Sequence, residues 1–414
     1  MQGKSTTKTT FDQLFEAIFS KKFGSLLKKL EVDKYVKKLT ALKFIILIAF
    51  AQLEQLGCLR EISISLHNKG FSQALKLNSI SFSQLSRKLR SLCLKTVQAL
   101  FQELVQKTAA EMGFEPIRQG LGRLYLIDSS VISLCFSRYR WADFRKTKSG
   151  IKLHLRVRLF EQGVLPDAAV ITPARKADKT QMNELVVEEE GAFNVFDRAY
   201  LDYQKFDHYC QEGIRFASRL KKSALVEIMQ EFPIKPGSVI KNDRMVILGK
   251  EGITKMHHPL RLIETVDSKG KEILIITNDF NLDAEEIADI YRFRWQIEIF
   301  FKWIKQHLCI KHLYSTSQHG VEMQLYIALI SYCLLKLTRL QTGYQGPLLN
   351  LTRIILTCLH EPFAELLRKL SQKPRKSKGR RKLRHEQIFQ ETLRQVMADE
   401  ADHLDDLDYD PVIL

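Results

Sequence analysis

The sequence predicts an α/β protein, in which a mixed sheet flanked by helices carries a β-rich insertion and follows an N-terminal all-helical domain. Three patterns in the chain of 414 residues support this prediction. Apolar residues recur at intervals of three and four over 11–110, which is typical of amphipathic helices. Short apolar runs and one strictly alternating segment follow from about residue 121, as expected of half-buried strands. Residues 213–276 are β-rich and interrupted by glycines, which indicates an insertion between two more regular parts.

The N-terminal helical region contains one segment with candidate DNA-binding residues. Residues 79–90 begin with several serines, of which Ser81 or Ser83 can cap a short helix. That helix carries four candidate side chains: Gln84, Arg87, Lys88 and Arg90. In a basic all-helical region they favour a helix that reads DNA. An ordinary amphipathic helix with a charged outer face explains the pattern equally well.

The middle of the chain predicts the mixed sheet. Residues 151–160 alternate strictly, with apolar side chains at the odd positions and a basic outer face. The other predicted elements are strands at 124–127, 131–136, 168–172 and 193–196 and a helix at 182–190. Asp128 directly follows the first of these strands, and Asp197 directly follows the last. Helices and strands in this order predict a mixed sheet with helices on it.

A long helix is predicted from about residue 284 to residue 307, with Asp283 as its N-cap and Glu286 at capping-box spacing. At about 100° per residue, four side chains fall within an arc of about 60°: Tyr291, Arg294, Glu298 and Lys305. Lys302 lies just beside them, and apolar residues occupy the opposite side. Solvated charge pairs would explain this face as well as a functional site would. A second helix at 321–340 is mostly apolar and should be buried.

The composition favours a polyanion as the partner. Lys and Arg number 64 against 47 Asp and Glu, so the net charge is +17, of which the first 100 residues carry +11. The longest apolar run is about half of what a bilayer span needs, so no membrane partner is expected. The seven cysteines form no CxxC pair, which argues against a zinc ribbon or a disulfide framework and favours reduced thiols.

Three acidic residues suggest a metal site. A carboxylate at the end of a buried strand is costly unless it is paired or bound to a metal. Asp128 and Asp197 both hold such positions, and Glu298 lies on the late helix. Mg²⁺ prefers oxygen ligands, and two such ions can stabilise the attacking and leaving oxygens of a displacement at phosphorus. This chemistry suits a basic protein that acts on DNA.

The string 291–305, YRFRWQIEIFFKWIK, matches the pattern Y-x2-R-x3-E-x6-K, with Tyr291, Arg294, Glu298 and Lys305 in register. It resembles the YREK motif of the DDE transposases of bacterial insertion sequences, in the subgroup of the family-four type. Asp128 in LIDSS and Asp197 in FDRAY resemble the first and second acids of that family. GIKLH at 150–154 is also similar to the family. The N-terminal segment resembles the small helical domain that precedes the catalytic domain in such transposases, so the resemblance covers residues 10–345.

The resemblance implies an RNase H-like catalytic domain, with Asp128 on the first strand, Asp197 after the fourth and Glu298 on a late helix. These three catalytic acids would bind two Mg²⁺ ions, with Mn²⁺ able to substitute. Hydrolysis would free a 3′-OH at the end of the element, and that 3′-OH would attack a phosphodiester of target DNA.

The same resemblance implies contacts with DNA. Tyr291 and Arg294 would hold phosphates near a flipped base, and Lys305 would bind the end phosphate. Lys302 and Arg198 are further basic residues expected to contact DNA. Some relatives stack a tryptophan of the insertion on the flipped base, and Phe216, Phe232 and Phe280 are the aromatic candidates for that role here.

The predicted domains are a helical DNA-end-binding domain at 1–115 and an RNase H-like catalytic domain at 116–345 that includes the insertion at 213–276. C-terminal helices at 346–372 and a charged tail at 373–414, expected to be disordered, follow them. The expected partners are double-stranded DNA, as terminal inverted repeats and as target, and a second copy of the chain in a homodimeric synaptic complex. We expect a cytoplasmic, nucleoid-associated bacterial protein.

Two other functions are compatible with the same residues. The first is a metal-dependent nuclease or resolvase that lacks strand transfer, and the second is a DNA-binding derivative that has lost catalysis. Other acids of the same span compete for the site, namely Asp143, Asp178, Asp202, Asp207 and Asp279. Of these, Asp143 is expected to be structural, and Asp178 is a candidate for a residue that supports the catalytic acids from behind.

Overall fold

The structure is a computed structural model, and it describes residues 8–113, 122–145, 148–266, 270, 272–372, 390, 391 and 394. The predicted boundary near residue 115 and nearly all of the predicted tail at 373–414 lie outside the described residues. The domain division itself therefore stays a prediction.

Seven helices form the N-terminal region, as the apolar spacing predicts. They are α1 (Thr10–Phe15), α2 (Lys21–Lys29), α3 (Ala41–Leu53), α4 (Leu59–Ser65), α5 (Lys69–Leu75), α6 (Phe82–Ser91) and α7 (Leu94–Met112). Side-chain caps start several of them: Thr40 accepts a hydrogen bond at the start of α3, and Ser81 and Gln84 form a capping box at the start of α6. The predicted cap at Ser81 is thereby confirmed.

Within the residues that the structure describes, ten strands form one sheet. They are β1 (Arg123–Leu134), β2 (Asp143–Arg145), β3 (Lys148–Phe160), β4 (Gly163–Pro173), β5 (Ala192–Phe196), β6 (Arg215–Arg219), β7 (Val226–Glu231), β8 (Ile240–Leu248), β9 (Leu260–Val266) and β10 (Glu272–Thr277). Their order across the sheet is β2-β3-β1-β5-β6-β10-β9-β8-β7. The remaining strand, β4, pairs with residues Ile151 to Phe160 of β3. The β3 strand is antiparallel to both of its partners β1 and β4, whereas β1, β5 and β6 run parallel to one another.

The remaining helices lie between β4 and β6 and after β10. They are α8 (Met182–Leu185), α9 (Tyr203–Gln211), α10 (Ala284–Arg292), α11 (Trp295–His307), α12 (Gln318–Thr342), α13 (Leu348–Thr357) and α14 (Phe363–Leu370). The helix predicted at 321–340 is confirmed as α12, which is buried along most of its length. It is also the one helix of the described chain long and apolar enough to cross a membrane, but nearly all of its most apolar window is buried inside the protein.

The hydrophobic core runs without interruption from the N-terminal helices to the sheet. The α12 helix packs against α3 and α7 on one side and against β4 on the other. Gln52 of α3 is fully buried, and its amide donates a 2.9 Å hydrogen bond to the backbone oxygen of Gln324 in α12. The α7 and α11 helices also cover β4. The helices of residues 10–112 and the sheet are therefore held together by one shared core.

Three predicted elements differ from the structure. The strands predicted at 124–127 and 131–136 are one strand, β1, because all of its residues from 125 to 134 pair with β3. The helix predicted at 182–190 is wrong beyond Leu185: α8 is a single turn. Asn194 caps the backbone of Val187 with two 2.9 Å hydrogen bonds, so the chain there satisfies its polar groups against a strand instead of within a helix.

The long helix predicted at 284–307 is two helices, α10 and α11. Between them the backbone hydrogen bonds tighten to the i→i−3 pattern: Arg294 donates to Tyr291, and Ile297 donates to Arg294. Phe293 and Arg294 keep right-handed helical backbone angles. The tighter turns change the angular phase of the side chains around the junction. The junction thus interrupts the uniform periodicity, although Arg294 still lies 5.9 Å from the ring centre of Tyr291 and donates a hydrogen bond to Glu298.

The strands within 213–276 continue the central sheet. β6 pairs parallel with β5, and β10 pairs with β6, so both belong to the sheet that carries β1. β9, β8 and β7 extend it further, and β7 forms the outer edge with every residue exposed. The β-rich character predicted for this stretch is confirmed.

Candidate active site

Two neighbouring parallel strands bring Asp128 and Asp197 together. In the register of β1 with β5, Ile127 lies opposite Phe196, and both side chains are fully buried. The next residue on each strand is an aspartate. Since parallel strands deliver equivalent positions to the same place along the sheet, the two carboxylates leave the core side by side.

Asp128 lies inside a strand and not at the end of one, contrary to the sequence prediction. β5 ends at Phe196, whereas β1 continues to Leu134 with β3 as its only partner. The edge of β1 that faces β5 is therefore open from Asp128 onward. The backbone N–H of Ser129 uses this freedom and donates a 2.7 Å hydrogen bond to Oδ1 of Asp128.

The start of α11 brings two more charged groups to the same place. Nη1 of Arg294 lies 3.3 Å from Oδ2 of Asp128 and also donates a hydrogen bond to Oε1 of Glu298. The guanidinium thus lies between two carboxylates that are 170 residues apart in the chain. The side chains are mostly shielded from water, with exposed fractions of 16% for Asp128, 9% for Arg294 and 27% for Glu298.

Burial governs the electrostatics of Asp128. Loss of hydration raises the pKa of its carboxyl from an ordinary 3.8 to about 7. Arg294 opposes the rise, while the negative charges of Glu298 and Asp197 add to it. One buried guanidinium therefore compensates several carboxylates incompletely, and the site has an excess of negative charge.

Arg294 is held as a cation in spite of its burial. Burial by itself lowers its pKa, but Tyr291 and the acids Glu298, Asp128 and Asp197 together raise the pKa above the ordinary value. Its guanidinium carbon lies 5.2 Å from the ring centre of Trp295, a cation–π distance. Its Nε is buried without a hydrogen-bond partner. The interactions of Arg294 are thus nearly all with the acids and rings of the site.

The other residues predicted to contact DNA near the acids differ in their exposure. Tyr291 ends up in α10 with 6% exposure, and burial raises the pKa of its phenol. Lys302 and Lys305 lie on α11 and are partly exposed. Arg198 follows Asp197 in a short 3₁₀ helix and is exposed. Tyr291 and Arg294 therefore do not face solvent in this structure, whereas the three basic residues reach it.

The four residues predicted on α6 differ in what they can offer a ligand. Arg87 and Arg90 are exposed. Gln84 is exposed too, but its side chain closes the capping box with Ser81. Lys88 is only 12% exposed and forms an ion pair with Asp33 at 3.3 Å. The helix is thus amphipathic with a charged outer face, but Lys88 contacts the turn that follows α2.

Most competing acids have structural partners. Asp143 pairs with Arg175, as expected of a structural acid, and Asp279 is buried against Arg215. Asp207 accepts hydrogen bonds from the backbone of His257 and His258.

Asp178 differs from these acids because it belongs to a group of polar side chains near Asp128. The other members of this group are Ser129, Tyr200 and the buried His154. The strings LIDSS, FDRAY and GIKLH contain three of these residues, so a signal for them was available in the sequence.

Two aromatic candidates for base stacking also differ. Phe216 is fully buried and stacks on Phe206 with ring centres 4.6 Å apart, so its prediction as a stacking residue is wrong. Phe280 is 39% exposed and meets the ring of Phe232 edge-on at 6.4 Å. An aromatic surface is therefore available at Phe280 but not at Phe216.

The donor chemistry of the site suits a hard divalent cation. Asp128, Asp197 and Glu298 supply carboxylate oxygens, which Mg²⁺ prefers, and their excess of negative charge favours a cation. Within the described ranges, however, no three acidic, histidine or cysteine side chains are close enough together to hold a metal ion as they stand. Arg294 lies between two of the acids, so they can converge on an ion only when its guanidinium withdraws.

Comparisons with known proteins place the chain in a family. Residues 119–334 match the model of the transposase DDE domain, and residues 6–82 match a domain of unknown function, DUF4372. The first match covers more than half of the chain and includes all three acids and the YREK residues.

Individual relatives agree with this match. The chain is 31% identical to a protein of Sinorhizobium fredii assigned as the transposase y4zB. The aligned 270 residues cover 64% of this chain and 74% of that protein. It is also 31% identical over 228 residues to a protein of Geobacillus stearothermophilus assigned as the transposase of insertion sequence element IS5377, over 54% of this chain and 58% of that protein. Among solved structures it is similar to the piggyBac transposase in a synaptic complex with hairpin DNA, with a TM-score of 0.46 and 11% identity over 90% of this chain and 83% of that chain. On the sequence matches, the chain belongs to the DDE transposase family.

Proposed function

We propose that this transposase cuts DNA at the ends of an insertion sequence and joins the freed 3′-OH to target DNA, with Asp128, Asp197 and Glu298 as its catalytic acids. We place it in the YREK subgroup of the family and assign it an RNase H-like fold. The order of the elements supports that assignment, since Asp128 lies on the first strand, Asp197 follows β5, which is the fourth strand when the three-residue β2 is left out, and Glu298 lies on a late helix.

The observation that carries the proposal is the convergence of three acids on one buried cation. They come from β1, from the end of β5 and from α11, and all three raise the pKa of Arg294. A buried ion pair of this kind is poor at stabilising a fold, because desolvation costs about as much as the attraction returns. Such an arrangement is more readily explained by chemistry than by stability, as perturbed pKa values concentrate at functional sites.

The cofactor in this proposal is a pair of Mg²⁺ ions, for which Mn²⁺ can substitute, held by Asp128, Asp197 and Glu298. When bound, such ions lower the pKa of water and stabilise the charge that develops on phosphate oxygens. The protein residues hold the substrate and exclude water. Arg294 compensates Asp128 and Glu298 in this structure, and its guanidinium would be available to a DNA phosphate if these acids held cations.

The DNA contacts follow from the exposure of the basic residues. Lys302 and Lys305 lie on the same helix as Glu298, and Arg198 is next to Asp197, so we assign all three to contacts with DNA phosphates near the acids. Tyr291 is buried and needs a rearrangement at the α10–α11 junction before it can contact DNA. Arg87 and Arg90 on α6 are the exposed cations that we assign to the ends of the element.

The partners in this proposal are double-stranded DNA and a second copy of the chain, which together form a homodimeric synaptic complex on two ends. We assign the protein to the bacterial cytoplasm, at the nucleoid, where its substrate is.

The proposal is tested with linear DNA that carries the inverted repeats flanking the gene, a target plasmid and Mg²⁺. The wild type should give cleaved ends and joined products. Asp128→Asn, Asp197→Asn and Glu298→Gln should each lose both products by a factor of at least about 10³, as expected when a catalytic group is removed, and should still shift end DNA in a gel. Asp167→Asn is the matched control, since Asp167 pairs with Arg156 on β3 and is not among the charged groups that shift the pKa of Asp128.

Each other outcome has a defined meaning. Cleavage without joined product would favour the nuclease or resolvase. End binding without cleavage by the wild type would favour the inactive derivative. Equal cleavage by the wild type and the three acid variants would overturn the assignment of these residues.

A further inference from the structure

Asp178 is linked to Asp128 through a single residue. Asp178 begins a short 3₁₀ helix after β4. The hydroxyl of Ser129 donates a 2.5 Å hydrogen bond to Oδ1 of Asp178, while the backbone N–H of Ser129 donates to Oδ1 of Asp128 at 2.7 Å. One serine on β1 therefore connects an acid from a distant loop to the acid that starts the catalytic cluster.

The strand next to β1 fixes Asp178 from the other side. Lys152 on β3 forms an ion pair with Oδ2 of Asp178 at 3.1 Å, and both side chains are largely buried, with exposed fractions of 12% and 15%. The same ammonium also donates to the backbone oxygen of Lys176. A carboxylate held by a lysine and a serine in a shielded place has little freedom to rotate.

His154 lies against Asp178 but does not hydrogen-bond to it, because its Nδ1 is buried without a hydrogen-bond partner. Its ring is fully buried, with Nδ1 at 3.4 Å from Oδ1 of Asp178 and Nε2 at 2.9 Å from the hydroxyl of Thr172. Burial lowers the pKa of His154 to about 4, so the ring is neutral at physiological pH. The register of β1 with β3 sets Ser129 directly opposite His154. The contacts of Asp178 thus come from two paired strands whose alignment is fixed by the sheet.

Tyr200 shows that this second acid belongs to the same cluster. Its side chain is fully buried, and its hydroxyl makes no hydrogen bond of ordinary geometry, although the Ser129 hydroxyl interacts with it. Burial and the charges of Asp128, Asp178 and Asp197 raise the pKa of this phenol. All three aspartates are therefore close enough to act on one hydroxyl.

The consequence for Asp128 is a fixed orientation. Its Oδ1 is held by the N–H of Ser129, so its Oδ2 is directed toward α11, where Arg294 lies at 3.3 Å. Without Asp178, the Ser129 hydroxyl loses its acceptor and the backbone at Ser129 loses an anchor. Groups that orient a metal-binding carboxylate in this way matter for affinity although they do not touch the metal.

We propose that Asp178 is a positioning residue of the catalytic centre, which acts through Ser129 to direct the carboxylate of Asp128 toward the cation site. This inference rests on the proposed function, since it requires Asp128 to be a metal-binding acid. It differs from the proposed function in that Asp178 itself contacts neither the DNA nor the reacting atoms.

The experiment compares Asp178→Asn with the matched control Asp167→Asn. Both replace a shielded aspartate that is paired with a β3 base, and the exposed fractions are 15% and 20%. Binding of Mn²⁺ to the full-length protein without DNA is measured by electron paramagnetic resonance, and the Mg²⁺ concentration for half-maximal cleavage is measured separately. Asp178→Asn should weaken both by about 10-fold to 100-fold, and Asp167→Asn should leave both unchanged.

Ser129→Ala keeps the proposal falsifiable if Asp178→Asn fails to fold. It should weaken Mn²⁺ binding in the same direction, Ser129→Thr should restore it, and Ser129→Ala combined with Asp178→Asn should be no worse than the stronger single variant. Equal Mn²⁺ binding by Asp178→Asn and Asp167→Asn, or by Ser129→Ala and the wild type, would overturn the inference. Loss of Mn²⁺ binding as complete as that of Asp128→Asn would also overturn it, because Asp178 would then be a ligand.

Asp128→Asn separates this inference from the function on which it rests. If Asp128→Asn retains cleavage and Mn²⁺ binding, the proposed catalytic acids are wrong. If Asp128→Asn loses both while Asp178→Asn behaves like its control, only the positioning role is wrong.

Discussion

Replacing Asp128 by asparagine should stabilise the metal-free protein at alkaline pH, although it removes a catalytic acid. Burial raises the pKa of Asp128 from 3.8 to about 7, an increase that Arg294 reduces and that Glu298 and Asp197 enlarge. The folded protein therefore holds the proton of Asp128 more tightly than the unfolded chain does. The stability that this proton contributes is fully present below about pH 4 and is lost as the pH rises through 7.

The magnitude follows from the two pKa values. Relative to low pH, where Asp128 is protonated in both states, the raised pKa of Asp128 lowers the free energy of unfolding by roughly 2 kcal/mol at pH 5 and roughly 4 kcal/mol at pH 8. Asparagine resembles the protonated carboxyl in shape and carries no such cost. The stability of the Asp128→Asn variant relative to the wild type should therefore increase by roughly 2–3 kcal/mol between pH 5 and pH 8.

The assay is thermal unfolding of the full-length protein in EDTA, measured from pH 5 to pH 8. The unfolding midpoint of Asp128→Asn should rise relative to the wild type as the pH increases. Addition of Mg²⁺ at pH 8 should then raise the midpoint of the wild type more than that of the variant, because a ligand stabilises the state that binds it. Asp167→Asn serves as the control and should gain nothing from alkaline pH.

One result would refute the reasoning about burial. If Asp128→Asn becomes less stable than the wild type as the pH rises in EDTA, then the charge of Asp128 is net favourable in the folded state. The ion pair with Arg294 at 3.3 Å would then outweigh desolvation.

Three further predictions concern neighbouring parts of the molecule. Arg294→Gln should lower the unfolding midpoint in EDTA by the equivalent of about 3–5 kcal/mol, because it leaves buried carboxylates uncompensated. Addition of Mg²⁺ should restore part of that loss. An unchanged midpoint would contradict the role assigned to the Arg294 guanidinium. Glu298→Gln should lose cleavage by a factor of at least about 10³ while gel shifts of end DNA stay within twofold of the wild type, and retained cleavage would show that another acid acts. The double variant Arg87→Ala, Arg90→Ala should reduce the slope of log DNA affinity against log salt concentration by about 2. Lys88→Ala should instead lower the unfolding midpoint and leave that slope unchanged. A changed slope for Lys88→Ala and an unchanged slope for the double variant would place DNA elsewhere on the protein.

Much of the local structure could be predicted from the sequence, because it depends on neighbouring residues. The alternation at 151–160 predicts β3, and the apolar run before Asp197 predicts β5. The serines before α6 predict a side-chain cap at Ser81 or Ser83, and Ser81 is the residue that caps the helix. The spacing of Tyr291, Arg294 and Glu298 indicates a special helix segment, although uniform periodicity could not reveal the tightened turn that divides it.

The tertiary structure decided which of these local features meet. Whether Lys88 binds a ligand or Asp33 depends on a contact between residues 55 positions apart, and periodicity within α6 contains no information about that distance. The same holds for Asp128, which meets Arg294 across 166 positions, and for Asp178, which reaches Ser129 across 49. Side-chain patterns report which face of an element is buried, because burial is set locally by alternation or helical phase. The partner on that face is set by strand register and by the packing of α11 on β1, and these arise only when the whole chain is folded.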